Sequence, residues 1–166
     1  MATIRTATTG DLAALVDIYN HYVLQTPVTF DTDAFTLDTR RAWFGQFAAE
    51  GPYRLLVAER DGEVVGYASS VRFKEKPAYG TSVETSIYVH PGHTGKGLGE
   101  SLYKALLDDL LREPGLHRAY GGVTVPNPAS VALHEKLGYR KVATYSEVGF
   151  KLDRYWDVCW FEKELS

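Results

Sequence analysis

Apolar positions change their spacing several times along the chain, and each change marks an element. Leu12, Leu15, Val16, Tyr19, Tyr22 and Val23 recur at steps of three and four, which puts them on one face of a helix. Thr8-x-x-Asp11 ahead of them is a capping-box start, preceded by a short β-like opening over Thr3–Ala7, and Pro27 closes the helix. Leu37, Phe44 and Phe47 predict a second helix over about Leu37–Glu50, stopped by Gly51-Pro52. The pattern then turns to strands: Arg54–Glu59 and Glu63–Phe73 flank Asp61-Gly62, a hairpin signal, and Val83–Val89 follows a basic loop, KEKPAYG, at Lys74–Gly80. Leu98, Leu102, Leu106 and Leu110, at four-residue steps with Tyr103, Leu107 and Leu111 beside them, give a helix that must lie against a sheet, and Pro114-Gly115 ends it.

A strand near Arg118–Val125 comes next, then a Pro126-Asn127-Pro128 break and a short helix from about Ala129 to Leu137 with Gly138 at its C-cap. Tyr139–Lys151 and Tyr155–Lys163 read as two antiparallel strands joined around Asp153-Arg154. The order is strand, two helices, three strands, helix, strand, helix, two strands. That order predicts an α/β layer arrangement in which helices cover a mixed sheet.

Composition narrows the class. At 166 residues, 45% hydrophobic and 23% charged, the chain is globular and expected to form one domain over residues 1–166. A net charge of −3 argues against general affinity for nucleic acid. Cys159 is the only cysteine, so neither an intramolecular disulfide nor a cysteine-rich metal site can form. His90 and His93 lack the partners of a zinc motif, and no metal is expected. The opening MATIRTATTGDL has no apolar signal core and no run approaches about 18 apolar residues, so a cytoplasmic protein is expected.

The chemistry concentrates between Val83 and Glu100. Gly95, Gly97 and Gly99 fall where a loop becomes a helix, so backbone N–H groups and the positive helix end can face an anion, and Lys96 adds charge. A Walker loop is excluded, because Leu98 and Gly99 follow Gly97 where Lys and Ser/Thr are needed. A dinucleotide loop is excluded too, since Gly95-Lys-Gly97-Leu-Gly99 is one residue short of G-x-G-x-x-G. Within the strand before this loop, Glu84 is an acidic residue among apolar and hydroxylic neighbours, placed to take a proton directly or through one water. The other reading of Glu84 is a carboxylate that pairs a basic residue or caps a loop. His134 titrates near neutrality, which suits a proton donor or a hydrogen-bond partner, or else a packed histidine that only orients its neighbours.

The loop resembles the coenzyme A loop of the GNAT superfamily of N-acetyltransferases, [RQ]-x-x-G-x-[GA], which falls on Thr94–Gly99 with Thr94 in place of Arg or Gln. A second GNAT pattern is carried by Asn127, Ser130, His134, Gly138 and Tyr139. IYNHYV from Ile18, VETSIYVHP from Val83, ALHEKLGY from Ala132 and EVGFK from Glu147 resemble the members that acetylate phosphinothricin, methionine sulfone or methionine sulfoximine. The resemblance covers nearly the whole chain. It implies the GNAT fold, with a mostly antiparallel sheet flanked by helices and splayed open at the acetyl-CoA site.

It further implies roles. The coenzyme arm would pair with the backbone of Ile87, Tyr88 and Val89, the pyrophosphate would lie on Gly95, Lys96, Gly97, Leu98, Gly99 and Glu100, and Asn127 with Ser130 would touch the arm. Glu84 would be the base and His134, standing where many members have a tyrosine, the acid toward the departing thiolate. Lys74 and Lys76 would hold an anionic group of the acceptor, with Phe30 and Tyr79 as apolar walls. The implied reaction is acetyl transfer from acetyl-CoA to a small amino acid or analogue by direct attack on the thioester. Another small amine, a protein N-terminus, or an acyl-CoA sensor without turnover are the alternatives. A homodimer is expected, with Tyr155, Trp156, Trp160 and Phe161 either at its interface or in the core.

Overall fold

A computed structural model describes residues 1–166. The elements are β1 (Thr3–Thr6), α1 (Leu12–Gln25), α2 (Leu37–Phe44), β2 (Leu55–Arg60), β3 (Glu63–Arg72), β4 (Ser82–Val89), α3 (Leu98–Leu111), β5 (Arg118–Val125), α4 (Pro128–Lys136), β6 (Arg140–Lys151) and β7 (Arg154–Glu164). The seven strands form one sheet in the order β1-β2-β3-β4-β5-β7-β6, antiparallel except for the parallel pair β4 and β5. The element order and the mixed, mostly antiparallel sheet agree with the expectation from the sequence.

Two apolar clusters cover the two faces. Leu98, Leu102, Leu106 and Leu110 of α3 pack on Leu56, Ala68, Val83 and Ala119 of the sheet, as their four-residue spacing requires. On the opposite face Leu15, Ile18, Tyr19 and Val23 of α1 pack on Leu55, Val57 and Tyr67, and Trp43, Phe44 and Phe47 close that cluster from the side. Arg5 and Asp11 tie β1 to the start of α1 through two hydrogen bonds of 2.8 and 2.9 Å, and this pairing holds the Asp11 carboxyl below its ordinary value.

One expectation needs correction, and one open alternative is decided. The second helix ends at Phe44, with Gly45 at its C-cap, and does not continue to Glu50. Phe47 still reaches the core from the turn beyond the helix, where the Ala48 N–H bonds Tyr53 O at 3.0 Å. The C-terminal aromatics also divide: Phe161 is fully buried in the α3-side core, because β7 lies between β5 and β6 and not at the edge, while Tyr155 is exposed.

Candidate active site

The sheet opens at its parallel pair. β4 and β5 stay in register for only three pairs, Ser82 with Arg118, Val83 with Ala119 and Glu84 with Tyr120, and then diverge. β3 and β4 remain paired throughout, and the hydrogen bond from the His90 N–H to Val65 O at 2.8 Å fixes which residues face which way. By that alternation Tyr88 and Ser86 direct their main-chain groups to β3, while Thr85, Ile87 and Val89 direct theirs into the opening. Of the residues expected to present backbone to a ligand, Ile87 and Val89 do so, although the Val89 carbonyl accepts the Tyr22 hydroxyl.

The opening is lined by Thr85, Ile87, Gly122, Asn127, Ser130 and His134, and it continues outward into a cavity of about 250 Å³ bounded by His93, Thr94, Gly95, Gly99 and Leu133. Gly95 and Gly97 both hold φ of 75°, a left-handed conformation that a side chain would strain, and Gly97 is the N-cap of α3. Leu98 turns into the core, 4% exposed, so only its backbone belongs to the turn. Glu100 pairs with Lys136 of α4 at 2.8 Å, and Lys96 is exposed on the loop. Asn127 caps α4 by accepting the Ser130 N–H at 3.2 Å, which fixes both residues at the wall.

Side-chain alternation puts Val83 and Thr85 on the α3 face and Glu84 and Ser86 on the other. There Glu84 lines a cavity of about 320 Å³ with Phe30, Ser86, Thr124, Tyr145 and Trp160. Burial alone pushes the Glu84 carboxyl above its ordinary value, and no neighbouring charge or hydrogen bond enters. A second cavity of about 420 Å³, walled by Phe73, Tyr120 and Val142, shares Glu84, Tyr145 and Trp160 with the first and includes Lys74. Phe30 and Lys74 are thus brought to Glu84 from opposite sides. Lys76 and Tyr79 line neither cavity: both are exposed on the turn after β3, where the Tyr79 ring meets Phe73 at 6.0 Å.

His134 is 4% exposed beneath the opening. Its Nδ1 lies 2.8 Å from Ser130 O, which can only accept, so Nδ1 carries the proton. Burial lowers its pKa against the opposing pull of that carbonyl, so the ring is neutral at pH 7 and Nε2 accepts from the Tyr103 hydroxyl at 3.0 Å. Tyr103 in turn accepts from Thr85 Oγ1, which accepts from the Tyr139 hydroxyl, both at 2.6 Å. The sequence does not reveal this chain of hydroxyls. Tyr103 reads as one more apolar position of a helix, and only its hydroxyl tip distinguishes it. Tyr103→Phe leaves His134 Nε2 and Thr85 short of a partner inside the core and is expected to cost about 1–3 kcal/mol, read from urea unfolding. A variant as stable as the native chain would contradict the network.

The chain was compared with known proteins. The model of the Acetyltransferase (GNAT) family matches residues 15–139. A phosphinothricin N-acetyltransferase of Streptomyces coelicolor is 51% identical over 164 residues, covering 98% of this chain and 95% of that protein. An L-methionine sulfoximine/L-methionine sulfone acetyltransferase of Salmonella typhimurium is 39% identical over 163 residues, covering 98% and 94%. Among solved structures, an acetyltransferase from Salmonella typhimurium with its cofactor acetyl-CoA superposes with a TM-score of 0.94 at 38% identity, covering 100% of this chain and 95% of that one. With the family match spanning most of its length and relatives of this identity over nearly all of it, the chain belongs to the GNAT family and is an N-acetyltransferase.

Proposed function

We propose that the chain, acting as one domain over residues 1–166, transfers acetyl from acetyl-CoA to the α-amine of a small amino acid or analogue of the phosphinothricin, methionine sulfone or methionine sulfoximine type. The observation that carries this reading is the place of Glu84: on the strand that borders the β4–β5 opening, half-buried, with no charge partner, facing a cavity on the other side of the sheet. The names of the relatives support the acceptor class.

Acetyl-CoA supplies an activated acyl group as a thioester. The residues around the opening fit such a ligand: the main-chain groups of Ile87 and the Val89 N–H, which face away from β3, suit an extended amide-bearing arm, added as if it were a strand. The positive-φ glycine turn at the start of α3 leaves room and N–H donors for a pyrophosphate. In this reading Glu84 holds the proton taken from the acceptor ammonium, because a carboxyl lifted by burial is a better base than an exposed one. His134 lines the opening beside Ser130, and its neutral ring is held by Tyr103 and the Ser130 carbonyl. Its part is to shape the site where the thiolate leaves, with Tyr103 as the adjoining hydroxyl. Lys74, 5.5 Å from the Phe73 ring centre, supplies a cation at the far end of the second cavity for an anionic side group.

Gly97→Val forces a branched residue into left-handed backbone, which costs about 1–2 kcal/mol, and turns the N–H groups away. Acetyl-CoA affinity by calorimetry is expected to fall at least about tenfold with helix content unchanged. An unchanged affinity would remove the turn from the coenzyme site.

The acceptor is tested by thiol release from acetyl-CoA over a panel of amines containing methionine sulfone, methionine sulfoximine, phosphinothricin and the common amino acids. Turnover confined to the analogues and their parent amino acids supports the reading. Turnover only on peptides would replace it. No helix is long and apolar enough to cross a membrane, and a cytoplasmic location is part of this reading. So is a homodimer. Val142, Tyr145, Val148 and Phe150 leave the edge strand β6 apolar and exposed, and a monomer by light scattering would overturn that part.

A further inference from the structure

β6 is an edge strand exposed along nearly all of its length, and its only two buried residues are Gly149 and Lys151. A bulge causes this exception. Tyr145 pairs with Val158 and Gly149 with Trp156, so three residues of β6 stand opposite one of β7. Glu147 sits at the centre with φ of 51° and its N–H bonded to Asp157 Oδ1 at 2.7 Å. Such a bulge bends a strand and re-aims the residues beyond it. Here those residues are Gly149 and Lys151, two apart on one face, in the sequence block EVGFK.

Both re-aimed residues meet the loop between α1 and α2. A Cβ built on Gly149 would lie 2.2 Å from Phe30 Cε2 and 2.3 Å from Cζ, so the ring rests directly on the glycine backbone. Lys151 reaches under the same loop and donates from Nζ to Thr29 O at 2.7 Å and to Tyr22 O at 3.4 Å. Its hydrogen-bond partners are main-chain carbonyls, and the Asp31 carboxylate of the same loop favours its charge, so the ammonium ties down backbone at a buried position. The loop it holds borders the opening, the outer cavity and the first Glu84 cavity. Thr29 and Phe30 line the Glu84 cavity, and Val28 lines that cavity, the opening and the outer cavity alike.

We propose that Gly149 and Lys151 are positioning residues: together they latch residues 28–30 onto β6, and the seat of Phe30 on Gly149 sets the depth of the acceptor cavity. This rests on the reading of the Glu84 cavity as the acceptor site. The latch joins a loop near the start of the chain to a strand near its end, so acceptor size is read by a contact remote in sequence from Glu84.

The test separates the two substrates. Gly149→Ala displaces Phe30, which lines the Glu84 cavity and not the opening. The KM for the acceptor amine is expected to rise about tenfold or more, while acetyl-CoA affinity and kcat stay within about threefold, the signature of lost ground-state binding. Phe30→Ala removes the ring that clashes, so Gly149→Ala added to Phe30→Ala is expected to raise KM no further. A general structural defect would instead add to it and overturn the proposal. Lys151→Met is read without turnover, by hydrogen exchange: amides of residues 26–31 are expected to exchange at least about tenfold faster, with α3 unchanged. This arm also serves should Gly149→Ala fail to fold. If the native chain acetylates no amine, the acceptor reading fails while the exchange result still decides the latch. If the native chain turns over and both variants match it in acceptor KM and in exchange, the latch is wrong and the acceptor reading stands.

Discussion

Glu84→Gln is expected to lower kcat for the acceptor amine by about 10²–10⁴-fold, the range that a positioned general base contributes, and to leave acetyl-CoA affinity unchanged. Glutamine keeps the shape and polarity of the side chain and removes only its capacity to hold a proton. Glu84 borders the opening but turns its side chain to the other face, where Phe30, Ser86 and Trp160 surround it, so the coenzyme side is not disturbed. The pH profile sharpens the prediction. Burial raises the Glu84 carboxyl above its ordinary value, so the acidic limb of kcat in the native chain should lie above the usual carboxylate range, and the variant should lack it.

The effect on stability has the opposite sign. A carboxyl raised on folding keeps its proton in the folded chain over a pH window in which the unfolded chain has lost it, so stability falls as pH rises through that window. Glutamine does not titrate and escapes the loss. At neutral pH the variant should therefore melt at the native temperature or above it, trading activity for stability. A variant that loses activity and also melts lower would point instead to a structural carboxylate.

Leu106→Ala should have the largest effect on the fold. Leu106 is fully buried at the centre of the α3 stripe, between Leu102 and Leu110, against the sheet. Removing its isobutyl group leaves a cavity that the rigid sheet below cannot close, at a cost of about 2–5 kcal/mol. For a chain of this length that lowers Tm by on the order of 10 °C. The same helix begins at the glycine turn proposed for the pyrophosphate, so the variant also asks whether packing and binding are separable. If they are, saturating acetyl-CoA raises Tm by the same increment in variant and native chains, as linkage requires for an unchanged Kd. A lost ligand shift would mean that the turn depends on how α3 is seated.

Much of this arrangement is legible in the sequence because its signals are local. Four-residue leucine spacing fixes the buried face of α3, Asp61-Gly62 fixes the β2–β3 hairpin, and glycines at positive φ fix the turn before α3. The end of α2 is not legible, because Phe47 meets Trp43 at 5.0 Å from a turn as readily as it would from a helix, so apolar spacing cannot place it. Most walls of the Glu84 cavity are hidden as well. Tyr145, Val148 and Trp160 alternate like any strand residues, and which of them face Glu84 depends on β7 lying between β5 and β6 and on the bulge at Glu147. Neither is written in a local pattern. Lys76 and Tyr79 are candidates by resemblance alone and lie outside both cavities, whereas Lys151, an ordinary strand residue in the sequence, is buried only because the strand bends.

Whether Glu84 serves acetyl transfer to an amine is decided most directly by a proton NMR time course of methionine sulfone with acetyl-CoA and the native chain. The expected result is an acetyl methyl signal on the α-amine that grows in step with free thiol and is absent with Glu84→Gln. Consumption of the thioester without an acetylated amine, or the same product rate from the variant, would contradict the assignment.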